Sequence, residues 1–282
     1  MTFWVSRVVG NMNKFCFVLL FFLSACAATQ LDYEGMSLAE NEFSERQSSE
    51  LLALIPLEQM FQDDRARKLA DAAARGDVTE VRDLVEAGAN INYKGAQGAT
   101  PLFWALRNSN LRGFTELLDL GASPNVAIAE TTMMHWGVMH RDVRFLEALL
   151  RYGGTPNLVA SRGGETPIFS AIGVAGNERL RAMNLLVQSG ADVDAVNESQ
   201  EFDGVMFGGE TPMLVAANLG RFDLVLELLE LGADYHATDV SGRGLVDSLN
   251  HYRRLLAPNS RRKNDFDRVI DWMSQQETTT KD

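Results

Sequence analysis

Few side chains in this sequence stand at a spacing that would let them do chemistry together. The four histidines, His135, His140, His236 and His251, form neither an HxxxH nor an HExxH pair. That spacing would put two imidazoles on one helix face around a metal ion. No serine lies in a Gly-x-Ser-x-Gly turn, and no glycine cluster forms a phosphate loop or a dinucleotide fingerprint. No catalytic residue, no metal site and no cofactor is therefore expected. Cys16 and Cys26 are the only cysteines, and both fall in the first 26 residues. The rest of the chain can hold neither a disulfide framework nor a cysteine metal site.

The surroundings of Cys26 give its thiol a role. Arg7 and Lys14 precede an apolar run over residues 15–23, followed by Leu23-Ser24-Ala25-Cys26. A basic start and roughly 7–15 apolar residues make a secretory signal, too short to span a bilayer. The small residues before Cys26 resemble the bacterial lipobox. That resemblance implies cleavage before Cys26, which is acylated and becomes the new N-terminus; an ordinary cleaved signal and an uncleaved buried helix are the alternatives. The signal reads equally well from Met1 or from Met12. Several acyl chains, at about 0.8 kcal/mol per buried methylene, would hold the protein on a membrane. Ala27 follows the cysteine, which by the same resemblance favours the outer membrane with the body facing the periplasm. Residues 1–25 hold two cations and no anions, so processing moves the net charge from −12 to −14.

That charge restricts the partners. An excess of carboxylates repels phosphate backbones and anionic lipid heads, so nucleic acid is excluded as a ligand and membrane contact is confined to the anchor. A basic protein surface is favoured. The remaining composition, 282 residues with 46% hydrophobic and 23% charged, suits an ordinary globular body.

Two phrases recur along that body. Gly-Ala stands at Gly88, Gly121, Gly190 and Gly232, with Gly153-Gly154 in the same place; the glycines are 33, 32, 37 and 42 residues apart. Thr-Pro stands at Thr100, Thr166 and Thr211, with Thr132-Met133 as the departing copy. Threonine is a good N-cap and proline tolerates the first helical position, while glycine ends a helix in a left-handed conformation. Leucine pairs such as Leu117-Leu118, Leu149-Leu150, Leu185-Leu186 and Leu228-Leu229 supply a buried face for a second helix.

The strings Thr100-Pro-Leu-Phe-Trp-Ala, Thr132-Met-Met-His-Trp-Gly, Thr166-Pro-Ile-Phe-Ser-Ala and Thr211-Pro-Met-Leu-Val-Ala resemble the ankyrin repeat, a unit of about 33 residues. The resemblance covers roughly residues 66–250. It implies an all-α solenoid of about five helix-turn-helix repeats with β-turn fingers, at 66–98, 99–130, 131–164, 165–208 and 209–241. The full layout expected is a signal peptide at 1–25, anchor and tether at 26–47, an N-terminal capping helix at 48–65, repeats at 66–241, a C-terminal cap at 242–274 and a disordered tail at 275–282. Arg261-Arg262-Lys263 is expected in a solvated loop inside the cap.

Ankyrin arrays bind partners with their finger tips and the inner face of their first helices. The matching inner positions are Arg107, Asn108, Met139, His140, Asn218 and Leu219. Met139 and Leu219 serve equally well as core. Trp104 and Trp136, at equivalent positions of adjacent repeats, read as stacked core or as contacts. His135 falls on the family's histidine position, where it braces the turn. The stretch from Gly190 to Thr211 is 21 residues, against 12 from Gly88 to Thr100. Its surplus, the loop 198–209, carries Phe202, Met206 and Phe207, which either fold back or meet a partner; contact is the favoured reading. A protein partner and a free monomer are expected. Thr100-Pro-Leu-Phe-Trp-Ala, Met134-His-Trp, Gly153-Gly-Thr-Pro-Asn-Leu-Val and Gly164-Glu-Thr-Pro-Ile-Phe also resemble ankyrin lipoproteins that act as immunity factors to type VI secretion phospholipase toxins.

Overall fold

Each Thr-Pro phrase opens a short helix, and each Gly-Ala phrase closes the helix that follows it. The computed structural model describes residue 52 and residues 55–279, apart from 161–162, 174–177 and 203–204. The expected signal segment, Cys26 and the tether lie outside the described residues. After a short helix α1 (Leu57–Met60), the chain runs in helix pairs. Repeat one holds α2 (Asp64–Arg75) and α3 (Val78–Glu86), and repeat two α4 (Pro101–Arg107) and α5 (Leu111–Asp119). Repeat three holds α6 (Met133–Met139) and α7 (Arg144–Arg151), and repeat four α8 (Pro167–Gly173) and α9 (Glu178–Gln188). Repeat five holds α10 (Pro212–Asn218) and α11 (Phe222–Glu230). First helices stack on first helices, as α6 on α8 and α8 on α10; second helices stack likewise, as α3 on α5 and α5 on α7.

The local chemistry follows the phrases. Thr100 Oγ1 accepts the Phe103 N–H at 3.3 Å, with Pro101 in the first turn; Thr211 does the same for Leu214 at 3.4 Å beside Pro212. Asp63, Asp77 and Asn110 cap α2, α3 and α5 through their side chains. At the other end, Gly121 has φ 95°, which lets its N–H reach Leu118 O and the Ala122 N–H reach Leu117 O. The apolar faces then meet between repeats. Phe114 and Phe145 pack edge to face at 4.9 Å, and Leu102, Leu117, Leu146 and Leu149 are fully or almost fully buried.

The expected C-terminal cap is itself a helix pair. Helices α12 (Leu245–Tyr252) and α13 (Arg261–Thr279) stack on α10 and α11, with Phe266 edge-on to Phe222 at 5.1 Å. Two expectations for this region are corrected. Arg261-Arg262-Lys263 is not a solvated loop but the first turn of α13, because Arg262 has main-chain acceptors to reach: Gly220 O at 2.7 Å and Leu219 O at 2.6 Å. The segment from Gln275 is not disordered throughout, since α13 runs on to Thr279. Its Gln-Gln-Glu stretch propagates a helix that packing at Phe266 and Val269 has already nucleated.

Of the region expected as an N-terminal capping helix, 48–65, Leu52 is helical and residues 48–51 and 53–54 lie outside the described residues. Pro56 opens α1, only four residues long, and α2 begins at Asp64. The surplus expected as a loop forms a hairpin instead. Strand β3 (Gln200–Phe202) pairs antiparallel with β4 (Val205–Phe207), in the register Gln200 with Phe207 and Glu201 with Met206. A shorter hairpin, β1 (Ala127–Ile128) with β2 (Thr131–Thr132), forms the finger before α6.

Candidate partner-binding face

Successive fingers are hydrogen-bonded into a row. Ala160 N–H donates to Glu165 O, Glu198 N–H to Gly163 O, Asn197 N–H to Glu210 O and Val240 N–H to Gly208 O, at 2.9–3.3 Å. The β3–β4 hairpin therefore rises from a base tied to the finger on each side. Met206 on that hairpin is 40% exposed, and Val159, Val196 and Val240 on the flanking finger segments are 53%, 58% and 43% exposed. Apolar side chains left in water on neighbouring fingers are what a partner surface requires. For Phe202 and Phe207 the strand positions are given; their side chains lie outside the described set.

Carboxylates stand beside this row. Burial pushes the Glu165 carboxyl above its usual range, and the charge of Glu210 adds to the effect. Asn218 donates to Glu210 Oε1 at 2.6 Å. These acids were not among the residues singled out from the sequence; their signal was the Glu before each of two Thr-Pro phrases, Glu165 and Glu210.

The inner positions divide. Asn108 and Asn218 are exposed, and Leu219 is 37% exposed. Met139 is half-buried. Asn218 is also tied to its neighbour: Ser248 Oγ donates to its Oδ1 at 2.6 Å, and Tyr252 OH to its carbonyl at 2.9 Å. Arg107 is committed inside the chain, donating to Ile55 O at 2.7 Å. Trp104 is 9% exposed and meets Phe61 edge-on at 6.1 Å. Trp136 packs edge-on to Phe103 at 5.2 Å, and its Nε1 is buried with no hydrogen-bond partner.

The two histidines of repeat three act as braces. His135 Nε2 lies 3.0 Å from Glu165 O, an atom that can only accept, so the proton is on Nε2. Nδ1 then accepts from the Thr132 hydroxyl at 2.7 Å. This is why Thr132 makes no backbone cap, and it binds repeat three to the finger of repeat four. Burial holds the His135 pKa below its ordinary value, keeping the ring neutral. His140 Nε2 meets Ser109 Oγ at 3.1 Å, but Nδ1 faces main-chain atoms of Asp142, whose carboxylate is taken by Arg144 at 2.6 Å. Ser109 has φ 56° at the inter-helix position where Gly76 and Gly220 stand at 72° and 62°. No carboxylate orients this imidazole as a base, and the pair spans repeats two and three as a strut.

A second ladder was not read from the sequence. Asn92, Asn125 and Asn157 each follow a helix-ending glycine by four residues. Each donates through Nδ2 to the next such glycine carbonyl (Gly121, Gly153 and Gly190) and accepts an N–H two residues further on, from Ser123, Thr155 and Asp192. The fourth position is Asp194, which accepts the Asp234 N–H at 3.0 Å but has no proton to give Gly232. Burial raises its pKa, as do the charges of Asp234 and Asp192, against the opposing pull of the Asp234 N–H. Asp194→Asn is therefore expected to stabilise the protein by about 1 kcal/mol through the restored hydrogen bond. A carboxyl whose folded pKa is raised costs stability as pH rises through that window. The gain should be full at neutral pH and shrink as pH falls towards the ordinary aspartate value of 3.8. Urea melts of both proteins at pH 7 and pH 4 check it; a less stable variant at pH 7 would refute the ladder.

Residues 69–118 match the family model described as ankyrin repeats in many copies, and residues 134–239 the model for ankyrin repeats in three copies; together these are more than half of the chain. The chain belongs to the ankyrin-repeat family. It is 28% identical over 170 residues to a protein of Danio rerio named as a palmitoyltransferase, a match covering 59% of this chain and 24% of that protein. It is 33% identical over 110 residues to an ankyrin repeat protein of Acanthamoeba polyphaga mimivirus, covering 36% and 26%. It is 26% identical over 168 residues to protein glp-1 of Caenorhabditis elegans, covering 58% and 13%. The chain spans 13–26% of the length of these relatives. Ankyrin arrays are protein-binding frames, and the all-α solenoid with its finger row is one of them. Among the described residues, no helix is long and apolar enough to cross a membrane and no group of three or more His, Cys, Asp or Glu is placed to hold a metal.

Proposed function

We propose that this ankyrin protein is a non-catalytic lipoprotein, anchored at the outer membrane through acylated Cys26 and facing the periplasm. Its array binds a partner protein through the inner positions of repeats three to five (Met139, His140, Asn218 and Leu219) and the β3–β4 hairpin. The observation that carries the binding surface is the exposed apolar row Val159, Val196, Met206 and Val240 on hydrogen-bonded fingers. The net charge of −12 favours a partner that brings cations. The anchor rests on the lipobox resemblance at Leu23-Ser24-Ala25-Cys26.

A sharper second reading makes the chain an immunity protein that neutralises a type VI secretion phospholipase by direct binding. It rests on the four strings that resemble such immunity lipoproteins, and on the fit between a membrane anchor and a toxin that attacks membrane lipid. One experiment tests both readings. The tagged full-length chain is recovered from the bacterial envelope with its bound proteins, beside a variant with residues 200–207 replaced by a Gly-Ser turn and beside Cys26→Ser. The Gly-Ser variant is expected to lose at least tenfold of the captured partner, and Cys26→Ser to move to the soluble fraction. Capture unaffected by the hairpin would refute the surface, and unchanged fractionation would refute the anchor. A captured lipase that loses activity in the complex would support the immunity reading, and a resident envelope protein would remove it.

A further inference from the structure

Leu52 and residues 55–61 meet inner positions of repeat two. Trp104 and Arg107 stand one turn apart on α4, at inner positions of repeat two, and the guanidinium sits 4.5 Å from the indole centroid. Arg107 Nη1 donates to two main-chain carbonyls, Ile55 O at 2.7 Å and Leu52 O at 3.3 Å. Burial pushes the Arg107 pKa down, and among the described residues no carboxylate opposes that shift. A shielded guanidinium satisfied by peptide carbonyls recognises the path of a chain and leaves its side chains to be read elsewhere.

The side chains of the segment fill the rest of the shelf. Leu52, Met60 and Phe61 are fully buried, and Ile55 packs on the core. Phe61 sits between Trp104 and Tyr93, with ring centroids 6.1 Å and 6.3 Å away. Gly95, in the finger before α4, lets the main chain pass at its closest: a Cβ there would stand 2.1 Å from Met60 O. Met60 thus meets the finger before α4, and Leu52 and Ile55 meet the far end of that helix. In repeat five the position equivalent to Arg107 is Asn218, which is exposed and bonded by Ser248 and Tyr252 of α12.

We propose that the Trp104–Arg107 shelf is a peptide-binding site, closed in this chain by its own Leu52 and residues 55–61. The ligand class is an extended or single-turn segment of a partner protein. It would present two aliphatic side chains three residues apart, an aromatic six residues beyond them, and main-chain carbonyls to Arg107. The tethered segment competes at an effective concentration in the millimolar range, so a free ligand must displace it. This rests on the reading of the array as a protein-binding frame but not on the hairpin, and the two fail separately: loss of residues 200–207 leaves the shelf intact.

The test uses the full-length protein and, as probe, a fluorescein-labelled synthetic peptide with the sequence of residues 50–62. Leu52→Lys with Ile55→Lys places cations under the shelf, against the Arg107 guanidinium, and expels the tethered copy. By fluorescence anisotropy the peptide should bind this double variant at least tenfold more tightly than the wild type, and adding Arg107→Ala should return binding to the wild-type level. Equal binding to wild type and double variant, or binding indifferent to Arg107, would overturn the proposal. A second measurement needs no variant. In native-state hydrogen exchange, the amides of Gln59, Met60 and Phe61, bonded to Pro56 O and Leu57 O, should exchange at least tenfold faster than those of α4 and α6. Exchange at the same slow rate as that core would make the segment a fixed part of the fold and overturn the idea that it can be displaced.

Discussion

Gly113→Ala is expected to cost about 3 kcal/mol or more of folding stability, against the helix propensity of the two residues. In an isolated helix alanine outranks glycine by about 1 kcal/mol, so a reading of α5 alone gives the opposite sign. The stack decides the matter. A Cβ at Gly113 would lie 1.9 Å from Ala73 O and 2.9 Å from Ala73 Cα, both main-chain atoms of α2. A backbone contact cannot yield by a rotamer change, so the first turn of α5 would have to move away from repeat one. That turn also carries the Asn110 cap, whose Oδ1 accepts the Gly113 N–H at 3.0 Å. Urea denaturation of wild type and variant checks this, and a variant as stable as the wild type would mean that α2 and α5 do not approach so closely.

Leu149→Ala should cost about 2–5 kcal/mol, the range for truncating a core leucine. Leu149 is fully buried in α7, and its Cδ1 occupies the space over Gly137 of α6, 2.5 Å from where a Cβ at that glycine would stand. The two positions are therefore coupled. Gly137→Ala alone should destabilise by crowding Leu149, and in the Leu149→Ala background it should return part of the loss by filling the cavity. A double-mutant cycle by thermal melting measures this. Strictly additive effects would show that the two side chains do not share one space, and a Leu149→Ala cost under about 0.5 kcal/mol, typical of surface sites, would place α7 in another register.

Much of the architecture was legible because a repeat writes its rules locally and several times over. Thr100 and Thr211 cap helices with the proline that follows, and Gly88, Gly121, Gly153, Gly190 and Gly232 all take the left-handed conformation that ends the second helix. Such signals need only the next few residues to act. The recurring asparagines at 92, 125 and 157 were equally local in sequence, yet their meaning lies across the repeat boundary, in glycine carbonyls about 30 residues away. Periodicity marked them; only the stack supplied the acceptor.

The candidate site was less legible, for the same physical reason. Arg107 and Asn218 occupy equivalent inner positions, but the first is held by carbonyls of residues 52 and 55 and the second is exposed. Nothing within a repeat distinguishes them, because the difference is made by a segment some 50 residues away in sequence. The basic triplet at 261–263 has the composition of a solvated loop, but Arg262 reaches Gly220 O and Leu219 O across the stack. The surplus at 198–209 was visible as a count, but its hairpin register came from pairing between strands. Residue order within each unit thus set the helices, their caps and their period, since those forces act over a few residues. Which inner side chains stay open, where Gly113 must be bare and what covers Trp104 were set by the stacking of units, since burial and van der Waals exclusion depend on atoms that the chain brings together only when folded.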